Sequence, residues 1–450
     1  MALTDTSKHM RSRTDADKDG YGSFLTICDE FGGRFCSTPG ERRAAKYLLE
    51  SLTRYGLKDV HAEPVDYLSW RRGRAALQVL HPRRRQIRAL AFAYSSPTPK
   101  EGIEADLVFI PRPTREAFEE APELGGKAVL TYVGHGVGPA CQSTRFAADL
   151  GATGLILMAN TFCSLQPTGA CRWNQAAEIP VIGISREDGE YLLRLMRRGE
   201  EVGVRISMSS RIRRARSWNI VGEIPGGSDS REVLLGAHYD GFDVAQSAID
   251  NASGVAVVLQ VARSLSRAGV KLDRTVKFVF FAAEELGMLG SYSYVRQHEA
   301  QLRDVVAMVN TDWPGSPASL GVQRPFESLL RHLKESGDAA LRDAKQGLGM
   351  YSDQFPFTIK GVPAMWVGGP ITGRDLEIYH TVFDTADKVP RQVIEESAEV
   401  MRRVAVDLAS SKVDSIEHLT EKEFRDFLLE EGRSEDLLAE GRWEEDPIAR

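Results

Sequence analysis

The chain has 450 residues, 42% of them hydrophobic, and 57 basic against 63 acidic side chains leave a formal charge of −6. That length supports two or three domains with sizeable cores, and so small a charge excludes a general electrostatic attraction to nucleic acid or anionic lipid. The first residues carry no apolar signal-peptide core, and no run approaches the roughly 20 apolar residues that span a bilayer; the expectation is a soluble, cytoplasmic protein with no nucleic-acid or membrane partner.

In chain order, a polar tail over 1–20 precedes an amphipathic helix from Gly40 to Gly56, whose Ala44, Ala45, Leu48, Leu49 and Leu52 recur at helical spacing. Strand-like stretches follow at Ala75–Leu80 and Ile87–Ala93, with the basic run Arg83, Arg84, Arg85 as a solvated hairpin tip. From about Gly102 strand and helix alternate. Strands are expected at Ala105–Ile110, Lys127–Val133, Gly154–Met158 and Val181–Ile184, and helices at Ser143–Leu150 and Arg186–Met196. This pattern reads as an inserted module over 65–212, with the charged stretch Gly199–Arg216 as its far boundary.

Beyond it, the strands Asn219–Ile224, Glu232–Ala237, Val276–Ala282, Val305–Asn310 and Pro363–Val367 are apolar nearly throughout, as strands buried on both faces should be. Helices at Ser253–Ser266, Pro325–Glu335 and Arg391–Leu408 alternate with them. Segments 21–64 and 213–412 therefore predict an α/β domain, a mixed but mostly parallel central sheet with helices on both faces. Residues 413–450 read as an acidic tail, frayed or docked as helix. The five cysteines (28, 36, 141, 163 and 171) have no metal-finger spacing and fit reduced thiols.

The chemistry gathers where such sheets bind ligands, outside the carboxyl ends of strands. His238 and Asp240 follow one strand, Glu284 and Glu285 the next, Asp312 a third; Asp250 opens a helix, and Tyr379 and His380 follow the loop after Pro363–Val367. Two imidazoles and several carboxylates converging on one edge would repel at close range unless divalent cations were bound. Mixed nitrogen and oxygen donors suit Zn2+, with Mn2+ or Co2+ as chemical alternatives. Asp250, apart from the other candidates, is placed to bridge two ions, and Asp240 to hold the second nitrogen of His238. If the backbone at Glu284 and Glu285 is extended, the two side chains diverge, one as ligand and the other as general base.

The runs Gly236-Ala-His-Tyr-Asp240, Asp250-Asn-Ala-Ser-Gly254, Phe281-Ala-Ala-Glu-Glu-Leu-Gly287, Asn310-Thr-Asp312 and Tyr379-His-Thr-Val-Phe-Asp-Thr385 resemble, in order, the motifs of the co-catalytic dizinc aminopeptidases, metallopeptidase family 28. The resemblance implies one metal held by His238, Asp250 and Asp312 and the other by Asp250, Glu285 and His380. It implies Glu284 as the base that activates water, and Tyr379 as a hydrogen-bond donor to the tetrahedral intermediate. The insertion is similar to a protease-associated domain through Gly126–Val129, Ala148–Ile156 and Ile179–Ile184. The expected activity is zinc-dependent hydrolysis of the amino-terminal peptide bond of peptides or dipeptides, with assembly into a homo-oligomer left open. Carboxypeptidase, glutaminyl-cyclase and silent binding relatives share such scaffolds, and a fold does not choose among them. One departure stands out: Ser352, Asp353 and Gln354 occupy a place where many relatives carry Ser-Asp-His.

Overall fold

The computed structural model describes residues 20–134, 138–227, 229–369, 373–410 and 416–443. Its centre is a run of four adjacent parallel strands, Thr275–Phe281, Glu232–His238, Val305–Asn310 and Ala364–Gly368 in spatial order. The strand Glu232–His238 is buried from Val233 onward and Val305–Asn310 throughout, which is why both read as unbroken apolar runs. Ser319–Gln323 adds an antiparallel strand at one side and Gly203–Ile224 at the other. The helices Ser253–Ala268 and Arg391–Leu408 pack against each other beside this sheet, each burying an apolar stripe.

The expected break at Gly199–Arg216 is instead a strand. Lys58–His81 and Gly203–Ile224 form one long antiparallel ribbon, paired from Lys58 with Glu223 to His81 with Gly203. The chain thus enters and leaves the inserted module along continuous strands rather than linkers. Arg211, Arg213, Arg214 and Arg216 are exposed on the ribbon, so charge tracks solvent exposure there and hides the strand from a periodicity argument. Strand Ala75–Leu80 is the far part of the same ribbon, and Ile87–Ala93 splits into Arg85–Arg88 and Leu90–Ala91.

The module contributes four parallel strands, Ile103–Phe109, Ala128–Tyr132, Gly154–Met158 and Val181–Ile184 in that order, joined to the peptidase strands by the antiparallel pairing of Ile103–Phe109 with Gly203–Ile224. Helices Gly138–Asp149 and Arg186–Arg197 accompany it. The acidic tail is docked: helices Glu421–Glu430 and Ser434–Glu440 bury Phe424, Leu428 and Leu437, and Thr420 with Glu423 forms a capping box at the first. Among the described residues no helix is long and apolar enough to cross a membrane.

Candidate metal centre

Strand order assembles the site. Because Glu232–His238 lies between Thr275–Phe281 and Val305–Asn310, His238 at its carboxyl end is flanked by the turn bearing Glu284 and Glu285 and by Asp312. Asp250 arrives on the loop before helix Ser253–Ala268, and His380 after the strand Ala364–Gly368. His238 Nε2 lies 3.0 Å from Asp250 Oδ1 and 3.3 Å from Asp312 Oδ1. His380 Nε2 lies 3.1 Å from Asp250 Oδ2 and 3.1 Å from Glu285 Oε2. Each oxygen of Asp250 therefore faces a different imidazole, and each imidazole has a second carboxylate of its own.

The donor set fits divalent ions. Ligands about 2.0–2.1 Å from a tetrahedral zinc stand about 3.3 Å from one another, close to the spacings within His238, Asp250, Asp312 and within Asp250, Glu285, His380. Glu285 Oε1 and His238 Nδ1 are buried with no hydrogen-bond partner, a costly state for a centre that is complete without ions. The protonation pattern tells the same story. Burial, reinforced by the Asp250 charge, pushes Glu285 up to about 8. Burial alone would lower His380, but Glu285 and Asp250 outweigh it and hold the imidazole at about 10. Protons thus supply the positive charge that cations would bring.

Glu284 is 9% exposed, and burial raises its carboxyl well above the usual range, with His238 opposing. Its carboxylate has no hydrogen-bond partner among the described residues, unlike the acids engaged with imidazoles. The two glutamates do not diverge because of an extended backbone: the strand ends at Phe281, Ala283 has φ +57°, and both lie in the turn that follows. The turn is held by Asp240, whose oxygens accept from the Glu284 and Glu285 N–H groups at 3.1 and 3.3 Å. Asp240 Oδ1 also stands 3.5 Å from His238 Nδ1, on the side of the ring turned away from Asp250 and Asp312, as expected of a residue that supports the imidazole. One carboxylate thus serves both the glutamate turn and the imidazole.

Three supporting residues were given no role in the centre by the sequence reading, although Asp384 lies in one quoted motif and Ser352 was named. Buried Arg34 donates to the carbonyls of Tyr239, Gln246 and Ser247. Asp384 accepts from the N–H groups of Ala248, Ile249 and Asp250. The loop that presents Asp250 is gripped by a cation on its carbonyls and an anion on its amides. Ser352 donates to Asp312 Oδ2 at 2.7 Å. An isolated buried charge bonded to backbone leaves no periodic trace, so nothing in the sequence marked Arg34. Gln354 is buried and accepts from Asn310 Nδ2 at 3.0 Å, where it braces the strand end that leads to Asp312.

Tyr379 stacks on His380 and on Trp313, ring centroids 3.7 and 4.8 Å apart. Burial and the neighbouring carboxylates raise its phenol well above the ordinary value, so it stays a donor. Tyr379 and His380 also line a cavity of about 250 Å3, whose other wall is the module: Phe92, Val133, Ala140, Ala159 and Leu165 among others. No described residue lining it is Lys or Arg. All five cysteines are unpaired thiols, and only Cys163, at this cavity, is not fully buried.

Comparison with known proteins agrees with this geometry. Residues 219–405 match the model of peptidase family M28, and with the relatives below this shows a metallo-exopeptidase, a hydrolase. The chain is 29% identical over 376 residues to carboxypeptidase Q of Bos taurus, covering 76% of this chain and 79% of that protein. It is 31% identical to leucine aminopeptidase 2 of Trichophyton rubrum over 64% of this chain, but spans only 54% of that protein. A peptidase M28 precursor from Shewanella amazonensis superposes with a TM-score of 0.79 at 25% identity, over 91% of this chain and 98% of that one. The zinc aminopeptidase from Bacillus subtilis shares the fold, with a TM-score of 0.68 at 23% identity over 90% and 98%.

Proposed function

We propose that the chain is an aminopeptidase that holds two divalent ions, zinc by the chemistry of its donors, one on His238, Asp250 and Asp312 and the other on Asp250, Glu285 and His380. The observation that carries this reading is the division of Asp250, one oxygen toward His238 and the other toward His380. Such ions, when bound, acidify water and polarise a carbonyl. Glu284, buried beside the cluster without a partner of its own, takes the proton from the attacking water and delivers it to the leaving amine. Tyr379 offers its phenol to the oxyanion.

The cavity bears on which end of the peptide is bound. A carboxypeptidase must neutralise a free carboxylate with a cation, and the described lining supplies none; its one charged side chain apart from His380 is Glu377. A largely apolar cavity of about 250 Å3 is smaller than the roughly 300–1,000 Å3 that accommodates a whole small molecule, and suits a single apolar side chain. The likeness to carboxypeptidase Q keeps carboxypeptidase as the second reading. The decisive experiment combines metal analysis with hydrolysis of matched dipeptides carrying free, amino-blocked or carboxy-blocked ends. Two ions per chain, loss of activity on chelation and cleavage that requires the free amine support the aminopeptidase; cleavage only of peptides with a free carboxylate gives the second reading. Activity indifferent to exhaustive chelation overturns both.

A further inference from the structure

The carboxyl-terminal segment, outside the matched residues 219–405, packs against residues that flank the metal cluster. Helix Ser434–Glu440 packs on the module's helix Gly138–Asp149, and its last residue, Glu440, forms an ion pair at 2.9 Å with Arg442 just beyond it, both side chains fully buried. Glu440 accepts from Gln142 of the module and Tyr351 of the peptidase domain, at 3.0 and 2.9 Å. Arg442 donates to the carbonyl of Met350 at 2.5 Å. Its guanidinium lies over the rings of Trp173, Tyr351 and Phe355, 5.1, 5.3 and 4.9 Å from their centroids.

Those contacts bear on both arms of the centre. Met350, Tyr351 and Phe355 bracket Ser352, which receives a hydrogen bond from Asn310 and gives one to Asp312. Trp173 presses on the glutamate turn: a Cβ at Gly287 would sit 2.4 Å from Trp173 Cε3, and Gly287 has φ +120°. Gly287 N–H closes the turn by donating to the Glu284 carbonyl at 2.7 Å. A buried ion pair is a poor source of stability compared with apolar packing of the same volume, and its best-attested use is to fix one arrangement among several. Here the planar fork of an arginine fixes a carbonyl, a carboxylate and three rings at once.

We propose that Arg442, oriented by Glu440, is a positioning residue for the metal cluster, setting the Asp312 arm through Met350–Phe355 and the Glu284–Glu285 turn through Trp173. This rests on reading the cluster as the working site. The test uses the full chain with the paired substitution Arg442→Met and Glu440→Gln, which leaves no lone buried charge. Amide exchange of the metal-free protein is read over 350–355 and 284–289, with 253–268 as an internal reference, and kcat and KM are measured on the loaded enzyme. The expected result is faster exchange in both segments, an unchanged reference, and kcat lowered by about ten- to a hundredfold, the scale of a misplacement near 1 Å. Arg442→Lys should not restore it. Gln142→Ala, milder because both charges remain, should give the same pattern at smaller amplitude and covers the case in which the double variant fails to fold. Exchange that accelerates only within 421–443, with kcat unchanged, overturns the proposal. If the wild-type chain proves inactive, the aminopeptidase reading fails while the exchange measurement still decides whether Arg442 orders the two arms.

Discussion

The molecule carries two runs of parallel strands whose carboxyl ends reach one cleft, and they do opposite things there. The edge of the peptidase sheet presents buried His238, Glu284 and Glu285 with half-buried Asp312, starved of positive charge. The edge of the module's sheet presents Val133, Gly134, Ala159 and Asn160, which line the apolar cavity below His380. Both edges obey the rule that ligands gather at the carboxyl ends of parallel strands. What each edge can do follows from a handful of side chains: one arranges charge for chemistry, while the other arranges space for shape.

The sharpest way to break the comparison is at the residue the two metal sets share. Asp250→Ala should remove both ions and abolish turnover, whereas Asp312→Ala should leave one ion in place; metal content of the two variants checks this, and equal loss would remove the bridge. Next in size, Glu284→Gln keeps shape but not basicity, so kcat should fall by about 10²–10⁴ with metal content unchanged. If Glu284→Gln sheds an ion while Glu285→Gln keeps both, the roles of the two acids are exchanged.

The other edge should respond in kind, through size rather than charge. Ala159→Phe narrows the cavity and should raise KM for peptides with bulky apolar amino-terminal residues by about tenfold, leaving alanyl peptides little changed. A uniform loss across substrates would place the side-chain pocket elsewhere.

The smallest effect concerns stability away from both edges. Glu41 is buried, and burial lifts its carboxyl from the ordinary 4.5 to about 7 despite bonds from Ser217 and Ser37. The folded state binds this proton more tightly than the unfolded one, so the contribution is present below pH 4.5 and is lost as pH rises toward 7. Glu41→Gln should flatten that part of the profile, raising Tm at pH 8 relative to pH 5; a parallel shift at both values would show that Glu41 is not the titrating group.

Much of this was legible in the sequence because it is local. Apolar runs such as Glu232–Ala237 and Val305–Asn310 announce strands buried on both faces, and the helical spacing in Arg391–Leu408 announces its buried stripe. His238, Glu284, Glu285 and Asp312 could be named because each follows such a run closely, whereas Asp250 and His380 were found through the motifs they share with the dizinc aminopeptidases. The long ribbon was not legible: its exposed arginines interrupt any apolar alternation, and pairing between Lys58–His81 and Gly203–Ile224 joins residues more than a hundred positions apart.

The sequence by itself determined the central apolar strands and the amphipathic helices, the residue types available for chemistry and the order in which they arrive, set by short-range periodicity and strand ends. Tertiary structure alone decided that Asp250 turns one oxygen to each imidazole, that Asp240 serves the glutamate turn, and that Arg34, Asp384 and Arg442 grip the loops of the centre. Those facts depend on which distant backbone carbonyl or amide lies opposite a buried charge, and only the packing of strands and loops in three dimensions specifies that.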